Sequence, residues 1–406
     1  MQLATIGIES FKKYWGLIQA AMKGYKPIRQ YEGFVLISGS KTHGLVFRIA
    51  NETGGLRIAI GADEQPVTAL VMADFEIAIE TGEINKVLPY LGKGTLTIED
   101  VPDKHGVVAF VTDKVTQHVP WLETVADQFP GDQFYRMEPR LKFNAHDLAR
   151  RLRLSKSSAT TNPKMRGHMS ACVHIELHAN DKDTLLIESA TDARGVSRVE
   201  WTPDELWTDG QPFSYLLPIE SIEVLARAAS GYEGEVVVSG DIGGNMLAWS
   251  FGALTPIVRS AGEKFYAIGI MFEGKEFGST SVPHEDFSNL LGLISAQTKA
   301  DRAAKATVIM YEDKTVVTSP STDSTTEGII PSMGAGELPA QFTLNARQVG
   351  QILGDLRSKG LVHLSCQFVL NNRPILRITS PTDPAFTHVA ILITNVQEPE
   401  VEVAKD

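Results

Sequence analysis

"LPYLGKGTLTIED" (residues 88–100) contains a Gly-Lys-Gly-Thr run, and how that run is read decides the fold. A phosphate loop needs the order strand, glycine loop, helix, so that backbone N–H groups at the helix N-terminus face the anion. Here the order is helix, glycines, strand. Gly92 and Gly94 are therefore expected to end a helix, because glycine takes the left-handed conformation found there at no steric cost.

The same order recurs along the chain. "IETGEINKVLPYLGKGTLTI" (79–98), "IEVLARAASGYEGEVVVSG" (222–240) and "VGQILGDLRSKGLVHLSC" (349–366) each place apolar residues at helical spacing, then a glycine, then a strand-like run. Each is entered from a short strand through a polar residue, in "FEIAIETGEINKVL", "FSYLLPIESIEVLA" and "FTLNARQVGQIL". Fainter copies start at Ile8 ("IESFKKYWGLIQAAM"), Leu141 ("LKFNAHDLARRLRLS") and Phe277 ("FGSTSVPHEDFSNLLGLI"), with runs such as "GLVFRIA", "ACVHIEL" and "ATVIMYE" behind them. Six strand-helix-strands units, taken in pairs, predict an α+β fold of three similar domains, 1–137, 138–262 and 263–397, with a disordered acidic tail at 398–406. Links between strands are too short for parallel crossovers, so the sheets should be antiparallel, with the helices of each domain on one face.

Composition bounds the function. A chain of 406 residues with 43% hydrophobic residues can bury two or three cores. No apolar run nears the ~18 residues of a membrane span, and "MQLATIGIESFKKYWG" lacks the order of a signal peptide, so a cytoplasmic protein is expected. Cys172 and Cys366 stand far apart, which argues against a disulfide framework or a thiolate zinc site. In "VHIELH" (173–178), His174 and His178 read as strand residues ~13 Å apart at ~3.3 Å per residue, too far for one zinc ion. Neither a glycine-flanked serine nucleophile nor a dinucleotide fingerprint occurs, so we expect no enzyme, cofactor or metal.

A net charge of -11 works against coating nucleic acid with the whole surface, yet leaves room for a local basic lining. The helices supply one: Lys12, Lys13 and Lys23 in the first unit, Arg150, Arg151, Arg153 and Lys156 in the third, and Lys299, Arg302 and Lys305 in "KADRAAK", expected to close the fifth helix. Basic residues late in one helix also answer its dipole. Related units, however, would bring them to a shared surface. The loops "KGYKPIRQ" (23–30) and "SKSSATTNPKMRGH" (155–168) add Lys26, Arg29, Lys164 and Arg166. The candidate DNA contacts are thus Lys23, Lys26, Arg29, Arg150, Arg153, Lys156, Lys164 and Arg166, holding the phosphate backbone without reading bases.

"LLIESATDARGVSRVE" (185–200) is similar to the strand, Ala-Thr-Asp turn and strand of the bacterial DNA sliding clamp, the beta subunit of DNA polymerase III. "YLLPIESIEVLARAASGYEGEVVVSG" resembles the Pro-led helix and strand that follow in that family, "GALTPIVRSAGEKFY" the strand leading towards a Phe-Pro-Asp-Tyr stretch, and "AFTHVAILITN" the last strand. The resemblance implies a ring, a homodimer joined head to tail by edge strands of the first and third domains, with helices lining a hole around double-stranded DNA. It implies no catalysis. DNA polymerase, the clamp loader and other replication or repair proteins would be tethered by short peptides docking between the second and third domains. Carried over by position, that pocket takes Thr191, Asp192, Arg194 and Val196 at the Ala-Thr-Asp turn and Met169 on the neighbouring strand. Asn345 and Gln348 would join it from the start of the sixth helix, and Val389, Ile391, Leu392 and Ile393 from the last strand. Lys26-Pro27 matches an Arg-Pro in the family's first DNA loop, and Lys164 and Arg166 fall in its second.

The departures from the family pattern mark a divergent, phage-encoded or secondary clamp. Ala193-Arg194-Gly195 replaces Gly-His-Arg, Ile219-Glu220 replaces a basic pair, the proline beside Phe265 and Tyr266 is missing, and the chain runs past the usual end from Val396 to Asp406. Glu220 and Glu223 against a lone Arg227 motivate an alternative: a clamp-like peptide-binding or regulatory protein that does not encircle DNA.

Overall fold

The structure is a computed structural model, and it describes residues 1–406 apart from 23–26, 53, 62–68, 132–136, 166–167, 179–183, 192–194, 208–212, 231, 242–244, 263, 299–303, 320–325, 357–358, 370–372 and 393–406. The opening question is answered in its first hundred residues. A helix over Thr81–Val87 tightens into a 3-10 turn at Leu88–Tyr90, Gly94 adopts φ +105, and a strand runs from Thr95 to Asp100. The Gly94 carbonyl accepts the N–H of Ile8 at 2.9 Å. The helix is over by Leu91, and the glycine run carries the chain from there into the strand.

The helices are α1 (Ile8–Met22), α2 (Thr81–Val87), α3 (Glu123–Ala126), α4 (Leu148–Ser155), α5 (Ile219–Ala228), α6 (His284–Gln297) and α7 (Ala346–Leu356). All but the short α3 follow a strand and lead into a run of antiparallel strands. Their apolar residues fall on one face: α1 buries Ile8, Phe11, Trp15 and Ile18, and α7 buries Val349, Ile352, Leu353 and Leu356. Phe11 shows what such a face meets, since its ring lies 6.0 Å from Phe47 in one sheet and 6.2 Å from Phe110 in another. Burying a side chain of this size stabilises by roughly 1.5–3 kcal/mol. Trp15 Nε1 and Gln19 Nε2 both donate to Asn85 Oδ1, at 2.7 and 2.8 Å, and tie α1 to α2.

The strands exchange partners within each pair of units. Gln2–Gly7, which leads into α1, pairs with Thr95–Asp100 behind α2, while Phe75–Glu80, which leads into α2, pairs with Phe34–Ser40 behind α1. The last pair repeats this: Lys275–Pro283 before α6 joins Leu361–Val369 behind α7, and Ala340–Asn345 before α7 joins Lys305–Met310 behind α6. In the middle, Glu138–Asn144 before α4 joins Glu235–Gly240 behind α5.

Packing divides the chain into two compact units, 1–149 with 203–260 and 150–202 with 261–406. The first holds a five-stranded sheet in the order Ala69–Val71, Gln2–Gly7, Thr95–Asp100, Val107–Val111, Thr116–Pro120. Its second sheet runs Glu205–Leu206, Glu138–Asn144, Glu235–Gly240, Met246–Ser250, Leu254–Arg259, Gly54–Ile60, Gly44–Asn51, Phe34–Ser40, Phe75–Glu80. The other unit holds a four-stranded sheet, Glu327–Pro331, Lys314–Thr318, Lys305–Met310, Ala340–Asn345. It also holds the series Cys172–His178, Thr184–Thr191, Gly195–Trp201, Asp383–Ile391, Arg373–Ser380, Leu361–Val369, Lys275–Pro283, Met333–Gly336. These units follow the sheets rather than the repeats. Leu254–Arg259 pairs with Gly54–Ile60 and Gly195–Trp201 with Asp383–Ile391, so each join carries one sheet across an expected domain boundary.

Two local expectations change. α6 stops at Gln297, Thr298 turns extended, and Lys305 opens a strand instead of closing a helix; Ala306, Val308 and Met310 are buried alternately, so the two-residue period prevails over helix propensity. Lys299 and Arg302 lie outside the described residues. Met169 sits in a 3-10 turn, Met169–Ala171, rather than on the strand that follows it. No helix among the described residues is long and apolar enough to cross a membrane.

Candidate peptide site and nucleic-acid face

Two of the candidate peptide residues meet at the seam where Gly195–Trp201 pairs with Asp383–Ile391, with Val196 opposite Val389 and Ser197 opposite His388. Residues directly opposite share a face, and the faces alternate. On one face, register sets His174, Glu188, Arg198 and Thr387 in a row across four strands, beside Val196 and Val389. The segment 265–272 lies over this face. The Phe265 ring stacks 4.8 Å from His174, the Arg198 guanidinium lies 3.7 Å over the Phe272 ring, and Met271 and Phe272 pack against Ala190 and Val196 on one side and Val369, Ile375 and Val389 on the other.

Beneath this segment, Arg198 Nε donates to Glu188 Oε1 at 2.6 Å. Burial pushes the Glu188 carboxyl up, but His174 and Arg198 more than offset it and hold the group below its ordinary range. Glu188 is thus a buried charge with its partners in place, where removing one partner is costly.

The opposite face carries a polar knot. His388 is wholly buried, with Ser197 Oγ at 3.0 Å and Ser158 Oγ at 3.3 Å from its Nδ1, and the two hydroxyls 2.8 Å apart. Burial pushes its imidazole down to about 3, so the ring is neutral at physiological pH. Its Nε2 is buried with no hydrogen-bond partner among the described residues. A methyl on Gly195 would meet Gln348 Nε2 at 2.8 Å, His388 Cε1 at 3.0 Å and the Val389 carbonyl oxygen at 3.1 Å, so the backbone here packs closely against all three.

The candidates therefore divide. Val196 and Val389 share the covered face, with Ile391 two residues on, whereas Gln348 lies on the face of the polar knot. Asn345 ends its strand and accepts the Gln348 N–H at the start of α7, at 3.4 Å. Thr191 pairs with Gly195, and Leu392 is buried just past the last strand. Asp192, Arg194 and Ile393 lie outside the described residues. Sequence reasoning missed Arg198, Glu188, Met271 and Phe272. A signal for the first two was present: the hairpin that sets Thr191 opposite Gly195 also sets Glu188 opposite Arg198, two opposite charges facing each other.

Of the candidate DNA contacts, Lys23, Lys26 and Arg166 lie outside the described residues. Arg29 is exposed, with Nη1 donating to Tyr31 Oη at 2.9 Å, while Arg153 and Lys164 are exposed and Lys156 is half-buried. Arg150 donates to the Leu356 carbonyl at 3.0 Å and pairs with Asp383 at 3.1 Å. Other helix cations also serve the fold: Lys12 binds the Leu91 carbonyl, Arg227 pairs with Glu223 at 3.4 Å, and Arg347 donates to the Thr298 carbonyl at 3.2 Å.

No protein-family model matches the sequence, and neither does any curated protein sequence. Solved structures do match. The DNA polymerase sliding clamp of Bacillus subtilis aligns with 97% of this chain and 99% of its own, at 12% identity and a TM-score of 0.81. The DNA polymerase III beta chain of Streptococcus pneumoniae aligns with 97% of this chain and 100% of its own, at 14% identity and a TM-score of 0.80. The sliding clamp of Bartonella birtlesii, DNA polymerase III subunit beta, solved bound to griselimycin, gives 97% and 100%, 15% identity and a TM-score of 0.79. The chain has the fold of the bacterial sliding clamp.

Proposed function

We propose that this chain is a divergent member of the bacterial sliding-clamp family: a cytoplasmic processivity factor that closes head to tail with a second copy around duplex DNA. It has no catalytic step of its own, and tethers DNA polymerase and other replication proteins through short peptides. The observation that carries this reading is the fold, matched over 97% of the chain to whole clamp chains. Two open sheet edges support ring closure. Thr116–Pro120 ends the five-stranded sheet and Glu327–Pro331 ends the four-stranded one, where Ile329 is 62% exposed. An open edge with an exposed apolar residue is a template for pairing with another chain. Griselimycin, the ligand of the Bartonella birtlesii clamp, serves as a probe for the peptide site, which we assign to the Val196–Val389 seam.

A second reading keeps the peptide site and drops the ring. It is favoured by helix cations already engaged by groups of the chain itself, Arg150 and Arg347 by backbone carbonyls and Arg227 by Glu223 on its own helix, on a chain of net charge -11. Retention on DNA separates the two: a closed ring stays on a nicked circle and is lost when the circle is linearised. Reversing charge at Lys26, Lys164 and Arg166 is expected to weaken retention and leave the oligomeric state unchanged. Equal loss from circle and line would defeat the ring.

A further inference from the structure

The segment 265–272 is held in an unusual way. Two local backbone bonds shape it, Ile268 N–H to the Tyr266 carbonyl and Met271 N–H to the Ile268 carbonyl, both at 2.9 Å, and among the described residues no rung of a strand ladder joins it to the sheet that it covers. Side chains do the holding: Ile268 is buried against Ala190 and Val196, Phe265 stacks on His174, and Phe272 lies under the Arg198 guanidinium that Glu188 fixes in place. Met271 and Phe272 thereby occupy the apolar ground on both sides of the seam, against Val196 and against Val389.

We propose that this segment is the resident occupant of the peptide site, and that Arg198 is the positioning residue that keeps it there. The proposal rests on the peptide-site reading above. An incoming apolar anchor takes the ground held by Met271 and Phe272, so the segment must swing out first. No strand-ladder rung among the described residues has to break when it does so. Apparent affinity then equals intrinsic affinity scaled by the fraction of chains with the segment open. Weakening the clip therefore strengthens binding, the reverse of what removing an ordinary wall of a pocket would do.

The test uses the full chain, with griselimycin as the probe. Phe272→Leu leaves the Arg198–Glu188 pair intact and removes the ring contact, worth a factor of about five at ~1 kcal/mol. Amide hydrogen exchange over 266–272 is expected to quicken about fivefold, with the amides of 186–190 and 386–390 unchanged. Griselimycin should bind about fivefold more tightly by calorimetry. Phe272→Tyr, which keeps the ring, should restore both values. The pair Glu188→Gln with Arg198→Met removes the clip from the sheet side without leaving a lone buried charge, and should behave as Phe272→Leu does. Unchanged exchange overturns the clip. Faster exchange with equal or weaker binding overturns the gating while the peptide site stands, and absence of griselimycin binding by every variant overturns the peptide site and the gating together.

Discussion

His388 shows how much one side chain can set. Its folded imidazole is pushed down to about 3 by burial, whereas an exposed histidine titrates near ~6.5. As pH falls, the unfolded chain therefore takes up a proton before the folded one does. The stability that neutral His388 allows is complete above about pH 6.5 and is lost progressively below it, by up to about 1.4 kcal/mol per pH unit. Glu188 acts outside that window, because its carboxyl is held below the ordinary 4.5 and loses its contribution only as pH drops through that region. Thermal melts from pH 8 to 5 should show the midpoint falling below pH 6.5, and His388→Gln should flatten that slope. Parallel slopes in the two proteins would assign the effect to another group.

Elements were legible to different depths. The strand-led helices could be read because α1 and α7 repeat apolar residues at helical spacing and glycines close the units. Strand pairing could not, since alternation reports that Gln2–Gly7 is a strand and says nothing of Thr95–Asp100 being its partner. Lys305 was misjudged because a run of alanine and lysine has high helix propensity, which alternate burial overrode. The seam valines of the candidate site were within reach through likeness alone, while Met271 and Phe272 sit in a segment with no period to read. Identity to the clamps whose fold the chain shares is 12% to 15%, too little for matched side chains to carry the reading. Gly94 stands where the chain passes from a helix into a strand. With φ +105 and no neighbour closer than 3.8 Å to an added methyl, its cost on change is conformational, so Gly94→Ala should destabilise by about 1–2 kcal/mol in urea titration, with the slope of the transition unchanged.

For the whole molecule, the decisive question is what the open edges meet. Ile329 lies on the strand that ends the four-stranded sheet and is 62% exposed, so Ile329→Glu should alter the stability of the single chain by no more than about 0.5 kcal/mol. In a ring it would set a charge inside each junction, and the dimer dissociation constant should rise at least about tenfold, a change of ~1.4 kcal/mol, by sedimentation. An unchanged constant would remove that edge from the assembly. The crossed pairing of lead strands bears on ancestry as well. The strand before α1 completes the ladder behind α2 and the strand before α2 completes the one behind α1, so each half would leave the other's ladder a strand short. Such a lineage can grow or shrink only by whole couples, and a nick in the backbone between the two halves would leave them knitted together where the deletion of either would not.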